Sequence, residues 1–428
     1  MSAGLERIVG KAKAKPRERF TALAHHLSED MLKETFARMN KRGAPGVDKV
    51  SMAEYGRDLD AHVADLVERM KRHAYDAPGV RRTYIPKAGN PAKLRPLGIP
   101  TVEDRLLQAA VSRILGAIYE PVFLGCSFGF RPGRSAHDAL REIRTTVWNG
   151  RAHYVLEADI RGYFDHIDHD WLLRMLELKI GDPWILCLIR KWLKARILDQ
   201  GVVTHPEEGT PQGGPLSPLL ANVYLHYALD LWFEKVVRPR LRRGAKLVRF
   251  ADDFLLLFED DSDAKAVAAV LPKRLAKFGL EVAPEKTRLV PFGVKSWRQG
   301  KEATGTFDFL GFSHHLGTSR RGTMTVVRVP ARKSVHRFLM EAKEWLRTNL
   351  HMAPAEQQAN LTAKLRGFYQ YFGLYHCTRR LSAVRLQVLR YWRQALGRRS
   401  QRAKASWPGL SRKPWFDLPY PRTVHPTV

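Results

Sequence analysis

Cysteine is nearly missing: Cys126, Cys187 and Cys377 are the only three. They are far apart and odd in number, which excludes a disulfide framework or a cysteine-rich zinc site and fits a reducing cytosol. No run of about 18 apolar residues occurs, so no membrane span is expected. The stretch from Met1 to Phe20 is basic and lacks the apolar core of a secretory signal, which leaves a helical or disordered nucleic-acid-binding arm as its expected form. Internal repeats and long low-complexity tracts are absent as well. Acid is in deficit: 43 Asp and Glu face 72 Lys and Arg, for a net charge of +29. A field of that sign concentrates polyanions. What is present is ordinary globular material, 44% hydrophobic over 428 residues, enough for two or three domains.

The basic excess is densest from Ala331 onward, where 19 Lys and Arg stand against 4 Asp and Glu. Aromatic residues are interleaved there, among them Trp345, Phe368, Tyr369, Tyr371, Tyr375 and Trp392. Such rings either stack on bases while Arg and Lys take phosphates, or form the core of a helical region. Periodicity predicts helices over 21–40, 52–73, 101–119, 333–350, 356–373 and 379–400. Arg81 to Lys87 reads as a strand, Gly89-Asn90-Pro91 as a turn and Lys93 to Pro100 as the return strand. The tail from Ser406, rich in Pro, Trp and Arg, reads as extended.

Two adjacent acids sit in a strongly apolar run, Phe250-Ala251-Asp252-Asp253-Phe254-Leu255-Leu256-Leu257-Phe258. Carboxylates in such surroundings are costly to desolvate unless a cation compensates them. The pattern predicts a hairpin with a two-residue Asp-Asp tip. A second acidic strand runs from Tyr154 through Asp159 to Ile160. Three carboxylates on two such strands suit a two-metal phosphoryl-transfer site, with Asp159, Asp252 and the Ile160 carbonyl as ligands to two Mg²⁺ ions and Asp253 as ligand or support. Phe164 lies just beyond Asp159, where its ring either presses on a sugar 2′ position or fills core. The loop Gly209 to Pro218 permits close backbone approach to a ligand, and Gln212 offers a donor and an acceptor there. Lys87 and Arg95 flank a turn and either clamp a triphosphate or stand solvated. Lys286 is placed to protonate a leaving pyrophosphate, and Phe307 to Phe312 reads as an apolar turn near a primer end.

In this order the segments KRGAPGVD (41–48), IPKAGNPAKLRPLGIP (85–100), FGFRPGRSAHDAL (128–140), LEADIRGYFDHIDH (156–169), GTPQGGPLSPLLANVYL (209–225), RFADDFLLL (249–257), LEVAPEKTRLV (280–290) and FDFLGF (307–312) resemble the blocks of bacterial group II intron-encoded reverse transcriptase/maturases. LRGFYQYFGLYH (365–376) is similar to that family's thumb/maturase region. The resemblance implies an α+β right-hand polymerase fold, with fingers and palm carrying antiparallel sheet and a helical thumb/maturase domain after them. The expected divisions are a basic N-terminal extension (1–40), fingers and palm (41–329), thumb (330–405) and a basic tail (406–428). It implies Asp159, Asp252 and Asp253 as the catalytic triad and Phe164 as the sugar-discriminating ring. Lys87, Arg95, Gln212 and Lys286 would meet the nucleotide, and Arg131, Arg134, Arg366, Tyr369, Arg379 and Arg380 the RNA. The implied partners are intron RNA in a ribonucleoprotein, an RNA template with a DNA primer, dNTPs and target DNA, with no membrane, in the bacterial cytoplasm near the nucleoid.

Two departures from the pattern matter. Phe250 stands where the family usually has Tyr. No paired cysteines and no His-Asn-His arrangement follow residue 400, so an endonuclease is not expected and the primer for mobility would come from elsewhere, such as a nascent DNA strand. Competing readings are a domesticated relative serving phage defence, CRISPR spacer acquisition or repair, a maturase with a dead polymerase, and an RNA-templated RNA polymerase. The intact acids argue against the dead polymerase, and Phe164 argues against the RNA polymerase.

Overall fold

The computed structural model describes residues 3–426 apart from 88–89, 211–212, 320 and 400–404; the side chains of residues 87, 90–93 and 301 also lie outside the description. Its strands, in chain order, are β1 (Val80–Lys87), β2 (Asn90–Ile99), β3 (Tyr154–Ala158), β4 (Ile197–Asp199), β5 (Val202–Thr204), β6 (Ala245–Phe250), β7 (Asp253–Phe258), β8 (Arg288–Pro291), β9 (Phe307–Phe309), β10 (Phe312–Thr318) and β11 (Met324–Pro330). They form three sheets, ordered β2-β1-β4-β5, β6-β7-β3-β8 and β11-β10-β9. Helices surround and connect these sheets, which makes the class α+β.

The central sheet, β6-β7-β3-β8, is antiparallel throughout, and its middle strands are dry on both faces. That is why β7 reads Phe-Leu-Leu-Leu-Phe rather than alternating with polar residues. Leu156, Leu247, Leu256 and Phe258 turn one way, into a core built with helices Val102–Tyr119 and Ser217–Leu225. Val155, Val248, Leu255, Leu257 and Val290 turn the other way. There they meet helix Ala136–Trp148, strands β9 to β11, and the helices Arg332–Thr348, Pro354–Phe372 and Thr378–Gly397 in one continuous apolar cluster. The expected boundary near residue 330 is therefore a change of element type, with no break in the core.

The helices expected at 101–119 and in the C-terminal third are present within a few residues. The one expected over 21–40 is a short turn at Ala24–His26 followed by Glu29–Arg38, because Ser28 caps a new start with its side chain accepting from the Met31 amide. The one over 52–73 breaks at Asp58 into Met52–Arg57 and Leu59–Lys71. The tail is not extended. Trp407–Ser411 is helical, Phe416 stacks on Trp392 with ring centroids 4.9 Å apart, and Leu418 is buried. Farther on, the amides of Val424 and His425 donate to the Gly373 carbonyl, and the His425 ring stacks on His137 at 3.8 Å. Apolar rings in the tail decide this outcome over its proline content.

Candidate active site

β3 and β7 pair with Ala158 opposite Phe254. One step further along that register places Asp159 opposite Asp253, so both carboxylates leave the same face of the sheet. Phe250 pairs with Asp253, and the two-residue tip is Ala251-Asp252. This corrects the expected Asp-Asp tip: Asp253 is the first residue of β7, and Ala251 takes the left-handed conformation with φ +58. The tip is seated on Gly129, where a Cβ would lie 2.3 Å from the Ala251 nitrogen.

The acids repel one another. Although part of Asp253 faces solvent, desolvation and then the charges of Asp252 and Asp159 push its carboxyl up to about 7. Asp252 is raised by burial first and by Asp159 after it, while the Arg95 charge pulls the other way. Lys286 donates to an Asp159 oxygen, and that contact raises its own pKa. Ile160 forms a bridge with Val282 in which the Ala283 and Arg161 amides bond to the Asp159 and Glu281 carbonyls. In that arrangement the Ile160 carbonyl points away from its partner strand, while its side chain is buried.

Phe164 is half-buried and meets Tyr163 edge-on at 5.4 Å, and the Tyr163 hydroxyl donates to the Ala221 carbonyl at 2.6 Å. The Phe164 carbonyl accepts from the Thr210 amide, and His169 donates to the Gly209 carbonyl, which ties the glycine-rich loop to this turn. Gly213 has φ +131, and a Cβ there would stand 2.4 Å from the Gly98 oxygen, so the loop is wedged against β2. Between the loop, β1 and β2 lies a cavity of about 300 Å³ lined by Arg82, Gly98, Phe164 and Thr210 among others. Arg82 was not anticipated from sequence, since its neighbours in an exposed hairpin gave no reason to prefer it. Arg95 is exposed on β2. Gln212 and the Lys87 side chain lie outside the described residues.

Two of the residues expected to contact RNA are buried. Arg131 is buried, donating to Glu120 and to the carbonyls of Leu124 and Ser127, so its guanidinium holds the fold together. Tyr369 is buried in the C-terminal core. Arg366 and Arg379 are exposed. Arg134 and Arg380 are half-buried and bond to the carbonyls of Gly125 and Pro330.

A buried polar network beneath the tip also went unanticipated. Arg249 binds Asp230 through two nitrogens at 2.8 and 2.6 Å, with no exposure on either side chain. It also donates to Asn222, Ser127 and the Ala251 carbonyl, each at 2.9 Å. Asn222 in turn donates to the Gly129 carbonyl. An arginine set between Leu247-Val248 and Phe250 was the available signal. From the C-terminal side, the Tyr371 hydroxyl donates to the Leu310 carbonyl at the turn between β9 and β10, and Ser334 donates to that of Gly311.

Among the described residues, no three His, Cys, Asp or Glu side chains form a ready-made metal cage, and no helix is long and apolar enough to cross a membrane. The family model described as reverse transcriptase (RNA-dependent DNA polymerase) matches residues 85–314. The chain is similar to the group II intron-encoded protein LtrA of Lactococcus lactis subsp. cremoris, 49% identical over 164 residues, covering 38% of this chain and 27% of that protein. It is 30% identical to protein YkfC of Escherichia coli K12 over 336 residues, covering 70% of this chain and 84% of that one. An uncharacterized 91 kDa protein in the cob intron of Schizosaccharomyces pombe is 40% identical over 181 residues, 42% of this chain and 22% of its own. The alignment with the Lactococcus protein thus spans little more than a quarter of that relative's length.

Proposed function

Because the chain belongs to the reverse transcriptase family, we propose that it is an RNA-directed DNA polymerase that also binds group II intron RNA, assists its splicing and copies it into DNA. The observation that carries the reading is the pairing of Ala158 with Phe254, which continued by one step sets Asp159 across from Asp253, with Asp252 at the adjoining tip. The right-hand polymerase fold follows from the family. The helices from Arg332 on are its thumb and the β1–β2 hairpin belongs to its fingers in this proposal.

The donor set fits divalent ions. Desolvation first, and the neighbouring carboxylates after it, raise Asp252 and Asp253, and a bound cation would offset both costs. Mg²⁺ commonly takes only one or two carboxylates and completes its shell with substrate phosphates and water, so a preformed cage is not required. Asp159, Asp252 and the Ile160 carbonyl would hold two such ions, with Asp253 alongside. Bound there, they would ease ionisation of a primer 3′-hydroxyl and neutralise a leaving pyrophosphate. Lys286, already against Asp159 and 61% exposed, is available to donate a proton toward the pyrophosphate. Arg82 and Arg95 present fixed positive charge to the triphosphate. Phe164 walls the cavity where a ribose 2′-hydroxyl would sit. Arg366 and Arg379 are the exposed residues offered to intron RNA.

Primer extension on an RNA template with Mg²⁺ and dNTPs, beside Asp252→Ala, tests the polymerase. Long cDNA from the wild type alone supports it, with RNA binding retained in both proteins. DNA from both proteins, or from neither, refutes it.

A further inference from the structure

We propose that the buried Arg249–Asp230 pair is a positioning device for Asp252, fixing the peptide plane from which that carboxylate emerges. The inference rests on the reading of Asp252 as a metal-binding carboxylate.

Ala251 occupies a left-handed conformation, costly for a residue with a Cβ by about 1 kcal/mol. Something must hold it there. Its carbonyl belongs to the same peptide unit as the Asp252 amide, so the orientation of one sets the other. Arg249 Nη1 grips that carbonyl from below. The guanidinium is in turn held immobile, bidentate on Asp230 and also bonded to Asn222 and Ser127.

The anchors come from separate parts of the chain. Ser127 lies in the segment whose Gly129 floors the tip, and Arg249 exchanges backbone bonds with Cys126 and Phe128 on the same segment. Asn222 lies on helix Ser217–Leu225, and Asp230 ends the π-helical turn His226–Asp230 that continues it. Such turns commonly mark functional placement, because they redirect a side chain that a regular helix would aim elsewhere. Stability alone gives weak reason for the pair, since well-packed apolar residues of similar volume often serve as well as a buried ion pair. What they cannot supply is a planar fork of donors aimed at one carbonyl.

The test compares wild type with Arg249→Met/Asp230→Leu, with Arg249→Lys, and with the double variant carrying Ala251→Gly. Three quantities are read: Tm, Mn²⁺ binding by electron paramagnetic resonance without nucleotide, and the Mg²⁺ dependence of single-nucleotide extension. The apolar pair also removes the bonds to Asn222, Ser127 and Ala251, so it should stay folded with a lowered Tm and bind Mn²⁺ at least about tenfold more weakly, with half-saturating Mg²⁺ raised in step. Arg249→Lys should fall between. Adding Ala251→Gly should recover part of the loss, because glycine adopts positive φ without strain. A folded apolar variant with wild-type Mn²⁺ affinity and Mg²⁺ dependence overturns the proposal. If that variant does not fold, wild-type values in Arg249→Lys overturn it instead. A wild type that binds Mn²⁺ but makes no DNA sinks the polymerase reading separately, and the Mn²⁺ comparison still decides the positioning role.

Discussion

Gly129→Ala should cripple DNA synthesis without unfolding the protein. The added Cβ would lie 2.3 Å from the Ala251 nitrogen and 2.9 Å from the Phe250 carbonyl carbon, where ordinary contact begins at 3.4 Å. Those neighbours are backbone, so no rotamer change relieves the clash, and either the tip or the 126–129 segment must move by about 1 Å. A displacement of that size at reacting groups costs on the order of 100-fold, or about 2.7 kcal/mol of transition-state stabilisation. The assay is single-turnover extension by one dNTP at saturating Mg²⁺, beside a thermal melt. Gly10→Ala is the control. That glycine lies in the helix Ala3–Ala14 with nothing within 4 Å of an added Cβ, so the substitution should stabilise by about 0.5–1 kcal/mol and leave extension unchanged. Extension by Gly129→Ala within threefold of wild type would refute the claim that the tip is seated on this residue.

Phe164→Ala should lower discrimination against ribonucleotides by at least about tenfold, ~1.4 kcal/mol, measured as the ratio of kcat/KM for dNTP and rNTP; unchanged selectivity removes the ring from that role. RNA affinity should drop steeply with salt through counterion release, and a flat response in filter binding between low and physiological salt would contradict the electrostatic reading of the +29 charge. Asp104 is fully buried, accepts from Tyr75 and from Trp192 at 3.0 Å, and has its carboxyl pushed up to about 6, chiefly by burial. Folding thus favours its protonated form: this contribution is fully present below about pH 4 and is lost as pH rises through about 6. Asp104→Asn should gain about 2–3 kcal/mol at pH 7.5 and little at pH 4, and an equal change in Tm at both pH values would show the charge to be irrelevant.

The sequence disclosed the acidic strands and the glycine-rich loop because costly residue types stood out against apolar flanks. It also disclosed the long helices, whose apolar spacing repeats over several turns. The position of the hairpin tip was not legible, since Ala251-Asp252 and Asp252-Asp253 differ by a single step of register that only the pairing of β6 with β7 decides. The burial of Arg131 and Tyr369 was not legible for a related reason. An Arg beside Pro and Gly, or a Tyr on a basic helix, has the same local sequence whether it faces solvent or core. Arg249 was overlooked because its partners Ser127, Asn222 and Asp230 lie far from it in the chain and meet only through the fold.

The shared apolar cluster sets where this gene can be cut. A fragment ending near residue 330 would keep every acidic residue of the site yet strip Phe312 of Tyr371 and Phe372, whose rings pack on it at 5.6 and 4.9 Å. Such a fragment is an aggregating one. A shortened chain that keeps the acidic hairpin in its fold must therefore retain the C-terminal helices and the segment through Leu418 that packs on them.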